Sequence, residues 1–109
     1  LGLESHLATV RAASLGVLEL DSSEKTVKAL LNESLSAIKE DKADVIVLGC
    51  TGMSEVAAAL QDRVRAANLD VPVVDPLRAA IQWAEALVKL KLRHSKVSYP
   101  KPPSKIRAK

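Results

Sequence analysis

The chain of 109 residues predicts an α/β fold: a three-layer lobe on a short parallel sheet, with elements in the order βαβαβα. Three observations lead there. Three short apolar runs alternate with three longer segments whose apolar residues recur at helical spacing. The middle run, Val45-Ile46-Val47-Leu48, is continuously apolar, as expected of a parallel strand covered on both faces. Helix-start residues follow the first and third runs, and right-handed crossovers between such strands give a parallel sheet.

The first strand is placed at Ser14 to Leu20. Asp21, Ser22 and Ser23 then offer capping side chains, with Glu24 in the first helical turn. The helix runs to about Glu40, carrying Val27, Leu30, Leu31, Leu35 and Ile38 on one face. Asp41 to Asp44 form a turn before the second strand, Val45 to Leu48. Gly49-Cys50-Thr51-Gly52 breaks that strand, and Met53, Val56, Ala57, Leu60 and Val64 mark a second amphipathic helix. Val71 to Val74 is the third strand, ended by Asp75. Pro76 suits the first turn of the third helix, where its missing N–H would be unpaired anyway. Leu77, Ala80, Ile81, Ala84, Leu87 and Val88 form that helix's stripe. The Leu3/Leu7 spacing suggests the end of a helix within residues 1–12. The lobe spans 1–93, and 94–109 form a basic tail interrupted by Pro100, Pro102 and Pro103.

Hydrophobic residues make up 48% of the chain, yet only Trp83 and Tyr99 are aromatic, so the core must be built from Val, Leu, Ile and Ala. No run of about eighteen apolar residues predicts a transmembrane helix. No secretory pattern opens the chain, so a cytoplasmic setting without a membrane partner is expected. The chain begins at Leu1 and reads as a fragment or a processed product. Its single cysteine excludes an internal disulfide, and with neither His6 nor His94 at ligand spacing no metal site is expected. The net charge of +3 hides an asymmetry: Lys89 to Lys109 hold eight basic and no acidic residues, against eight basic and thirteen acidic in 1–88. A basic tail can meet nucleic acid, but prolines and a lone aromatic favour a solvated end segment, and nucleic acid is not the expected partner.

Chemistry concentrates at Gly49-Cys50-Thr51-Gly52. Open parallel sheets bind ligands beyond the carboxyl ends of their strands, and Cys50 falls there, ahead of a helix. A helix start offers unpaired N–H groups and a positive dipole end, which activate a thiol and attract an anionic group. Gly49 and Gly52 are expected to let the backbone bend sharply and a ligand approach closely. Thr51 adds a hydroxyl for a carboxylate or carbonyl oxygen, and the same donors suit an enolate. A lone cysteine in an apolar segment is more often a small buried hydrophobe. On position alone both readings stand.

The stretches ADVIVLGCTGMSEVAAAL and VPVVDPLRAAIQWAEALVKL resemble the second half of the aspartate/glutamate/hydantoin racemase superfamily. GCTGM resembles its hydantoin and allantoin racemase branch, since glutamate racemases tend to have histidine in the position of Gly52. VRAASLGVLEL and HSKVSYPKP resemble that branch more weakly. The resemblance implies one half of a two-lobe fold, with a cysteine from each lobe facing a cleft. One thiol removes the proton α to a carbonyl and the other delivers a proton to the opposite face, without metal, pyridoxal phosphate or another cofactor. Cys50 matches the second-lobe cysteine, and Thr51 and Gly52, with Gly49 beside them, the substrate-holding loop. The implied substrate is a small molecule: a hydantoin, allantoin or an amino acid. The implied partner is a first lobe or a second subunit, without which this chain is expected to be inactive.

Asp75 shares the strand-end edge with Cys50 and is a candidate cleft residue, although a helix cap is the favoured role. Glu19 is read either as facing that edge or as a solvated strand end, and His6 as a surface residue. His94 is placed at the basic end of the third helix, and Met53 within a helix stripe. If the last helix packs on the other lobe, as the resemblance implies, its apolar stripe is exposed here or covered by dimerisation. Two alternatives remain: an Asp/Glu racemase or related isomerase or decarboxylase of the same superfamily, and a non-catalytic α/β binding or assembly module using the basic tail.

Overall fold

The computed structural model describes residues 2–16 and 24–105. Their elements are α1 (Glu24–Lys39), β1 (Ile46–Val47), a 3₁₀ turn (Thr51–Met53), α2 (Ser54–Ala66), β2 (Val73–Val74) and α3 (Pro76–Lys89). The expected first strand falls mostly on residues 17–20, outside the described residues. Ser14 to Gly16 are not in a strand. Near the start, a short 3₁₀ turn (Glu4–His6) stands where a helix end was expected.

β1 and β2 pair in parallel, with Ile46 opposite Val73 and Val47 opposite Val74. The ladder extends past them through Ile46 N–H to Pro72 C=O (2.9 Å) and Leu48 N–H to Val74 C=O (3.2 Å). The two strands therefore end side by side. Side chains alternate across a strand, which sends Leu48 into the core and leaves Val47 65% exposed. The expectation that β1 is covered on both faces fails among the described residues. Its cause is α3, which buries none of its own residues and so supplies no second covering layer.

The core lies between α1, α2 and the other sheet face. Val27 and Leu30 from α1 meet Leu48 and the α2 residues Val56, Ala57, Leu60 and Val64, with Leu31, Ile38, Met53 and Val73 packed around them. The deepest row of α1 is Thr26, Val27, Leu30, Ser34 and Ala37, a shift from the expected Leu-rich stripe. Small side chains there let the two helices approach closely. The Ser34 hydroxyl is satisfied by donating to Leu30 C=O at 2.8 Å.

Two side-chain devices and one backbone device complete the frame. Gln61 of α2 donates to Val71 C=O (3.1 Å) and accepts from Val73 N–H (2.8 Å), closing the outer edge of β2 as a third strand would. Arg11 ties the N-terminal segment to the end of α1 through Asp41 and Glu40, both at 2.7 Å. α2 and α3 each end in a left-handed residue, Asn68 and Lys91, with return bonds from Leu69 N–H to Val64 C=O and Leu92 N–H to Leu87 C=O. This stop places His94 beyond α3 rather than in its last turn. There its ring meets Tyr99 edge-on at 5.6 Å.

The radius of gyration is 18.1 Å, against about 13 Å for a compact chain of this length. The expected stripe on α3 is uncovered except at half-buried Leu87: Leu77, Ala80, Ile81, Ala84 and Val88 are exposed, and so is Trp83 outside it. We predict that the chain binds a dye such as ANS or self-associates by light scattering, and that Ile81→Glu with Val88→Lys removes the effect without lowering the urea midpoint. Gln61→Leu, which leaves Val71 C=O and Val73 N–H unpaired, should destabilise the fold by about 1–3 kcal/mol in urea titrations.

Candidate active site

Cys50 follows β1 by three residues and occupies the residue before the 3₁₀ turn, in extended conformation (φ −141°, ψ 136°). Its free thiol is half-buried. The turn closes through Met53 N–H to Cys50 C=O at 3.0 Å and Ser54 N–H to Thr51 C=O. The earlier N–H groups, of Thr51 and Gly52, are not used by these bonds. Both residues are exposed beside the thiol.

One expectation is corrected here. The thiol does not stand directly at an α-helix start, because the turn Thr51–Met53 intervenes and α2 begins at Ser54; Thr and Gly are poor α-helix formers. Gly49 is not in left-handed backbone: among the described glycines only Gly2 has positive φ. A Cβ built at Gly49 would meet no non-neighbouring atom within 4 Å, so the space over this residue is open. Gly52 lies inside the turn.

Asp75 is the N-cap of α3. Its Oδ1 accepts from Leu77 N–H (2.9 Å), Arg78 N–H (3.3 Å) and the Ser54 hydroxyl (2.8 Å). That last bond joins the first residue of α2, next to the cysteine turn, to the end of β2. Burial pushes the Asp75 carboxyl up, but the hydrogen bonds from Ser54, Arg78 and Leu77, with the Arg78 charge, outweigh it and hold it below the usual value. The favoured capping role is what the structure contains. Sequence reasoning missed Ser54, whose partner lies 21 residues away; only a Ser opening one helix and an Asp capping the next hinted at it.

Glu19 lies outside the described residues, and His6 is exposed. A cavity of about 390 Å³ between α2, β2 and α3 is lined by Ala57, Gln61, Val74, Asp75 and Arg78 among others, but not by Cys50. Among the described residues no group of three His, Cys, Asp or Glu is placed to hold a metal ion, and no helix is long and apolar enough to cross a membrane.

Three helices and a parallel strand pair that ends beside a cysteine turn make a small α/β piece. The Asp/Glu/Hydantoin racemase family matches residues 1–84, and the chain belongs to that family. It is 40% identical over 106 residues to the hydantoin racemase of Paenarthrobacter aurescens, covering 95% of this chain and 43% of that protein. Among solved structures it matches the allantoin racemase from Pseudomonas fluorescens with a TM-score of 0.80 and 40% identity, over 98% of this chain and 45% of that one. The allantoin racemase from Klebsiella pneumoniae gives a TM-score of 0.81 and 35% identity, over 99% and 43%. The chain thus spans less than half the length of these relatives.

The pH response of the frame follows from two carboxyls. The hydrogen bond from Arg11 holds Asp41 below its usual value, against an opposing effect of burial, and Asp75 is lowered as described. A carboxyl lowered in the folded state favours folding above its unfolded value, about 3.9, and that contribution is lost as pH falls through the folded value. The urea midpoint should hold from neutral pH to about 5 and decline below about 4. Asp41→Asn should flatten part of that decline.

Proposed function

We propose that this chain supplies one half of a cofactor-independent racemase acting at the carbon α to a carbonyl in hydantoins or allantoin. The observation that carries the reading is Cys50 itself. It is a half-buried thiol at the end of a parallel strand, on a turn with two N–H groups outside its internal bonds, in a chain whose relatives are hydantoin and allantoin racemases.

In this reading the Cys50 thiolate removes or returns a proton on one face of the substrate carbon. Thr51 and Gly52 N–H groups and the Thr51 hydroxyl face the negative charge that develops on the carbonyl oxygen. The space beside Gly49 admits the ring. The carbanion left after proton removal is planar and stabilised by the adjacent carbonyl, so inversion needs a second proton donor on its other face. With one cysteine in 109 residues, that donor comes from elsewhere: a first lobe like that of the family, or a second subunit. The open stripe of α3 is the surface such a lobe would cover.

The test joins this chain to the part of the Paenarthrobacter aurescens hydantoin racemase that it does not span. The chimera should racemise a 5-substituted hydantoin and exchange its C5 proton with deuterated solvent. Cys50→Ser should slow racemisation, and exchange of the enantiomer whose C5 proton faces Cys50, by at least about a hundredfold, and the 109-residue chain alone should not racemise. A soluble, folded chimera without either activity, or a Cys50→Ser variant as active as its parent, would overturn the reading.

A further inference from the structure

We propose that Ser54 and Asp75 are positioning residues for the Cys50 turn, the Asp75 carboxylate acting through the Ser54 hydroxyl to fix where the Thr51 and Gly52 N–H groups stand beside the thiol. The inference rests on the reading of Cys50 as an acid/base thiol. The internal bonds of the turn, Met53 N–H to Cys50 C=O and Ser54 N–H to Thr51 C=O, set its shape but not its orientation to the sheet. At one end it follows Gly49, an exposed residue with no non-neighbouring atom within 4 Å of its Cβ position. The other end is held twice, by Met53 packed against the core and by the bond from Ser54 to Asp75.

Ser54 is held there. Its hydroxyl donates to Asp75 Oδ1 at 2.8 Å, and Oδ1 is itself fixed by the Leu77 and Arg78 N–H groups that open α3. The Asp75 side chain is only 8% exposed, with Oδ2 at 3.4 Å from Arg78 Nε. That oxygen is buried and makes no hydrogen bond. A carboxylate enclosed in this way is suited to hold a neighbour in place rather than to exchange protons with a substrate. The anchor is also rigid, because β2 on its N-terminal side is paired to β1 and clamped by Gln61.

Ser54→Ala separates this role from simple stabilisation, because it cuts the bond to the turn and leaves both N–H bonds of the α3 cap. The readout is alkylation of Cys50 in the 109-residue chain at neutral pH by anionic iodoacetate and by neutral iodoacetamide. Well-placed N–H groups favour the carboxylate reagent. The ratio of the two rates should fall about two- to fivefold in Ser54→Ala, whatever the urea midpoint loses with the bond, and Ser54→Thr should restore it. A bond that merely stabilised the fold would lower the midpoint and raise both rates together with the ratio unchanged. That result, or no change at all, would overturn the proposal. A wild-type chimera that fails to racemise removes the functional reading alone, since the rate ratio still decides the role of Ser54.

Discussion

Asp75 Oδ1 receives three donors from two different helices, and the arrangement of the whole strand-end edge depends on it. Two of those donors start α3 and the third is the first residue of α2. Both helices leave from the same edge of the sheet, where the parallel register brings the ends of β1 and β2 together. A carboxylate suits this junction because it accepts several hydrogen bonds at once, and charge-assisted bonds are the stronger kind. The cysteine turn, the first turn of α2 and the first turn of α3 thus share one fixed point.

Much of this was legible in the sequence because the signals were local. α1 was read from its apolar period and observed one residue shorter at its C-terminal end. α3 was read to start at Pro76 after an Asp cap, and does. The second and third strands were found in place but shorter, Ile46–Val47 within Val45 to Leu48 and Val73–Val74 within Val71 to Val74. An apolar run shows where a strand lies, not how far its partner reaches. The same limit explains the failure over Val47: its apolar character was read as burial on both faces, but burial depends on whether a neighbour arrives.

The site divides along the same line. Cys50, Thr51 and Gly52 were legible as a strand-end motif, and their family resemblance agrees with the match over residues 1–84. Ser54 and Gln61 were not legible, because each matters through a partner distant in sequence. Gly49 was singled out for backbone bending and close approach, and what the structure shows is open space over it. The Arg11 cluster was hidden for another reason: its acidic partners lie 29 and 30 residues away, at a helix end where a charge run looks like ordinary solvated surface.

The Gln61 amide has a consequence for assembly. An exposed strand edge is an adhesive surface, open to any extended segment that can extend the ladder. By meeting Val71 C=O and Val73 N–H with its own acceptor and donor, Gln61 occupies the bonds at β2 that an incoming strand would seek. Growth of the sheet is blocked on that side, while the apolar side chains of α3 remain open nearby. Whatever joins this chain there must do so by laying a surface against a helix, a contact that can form and separate without rewriting any backbone pairing.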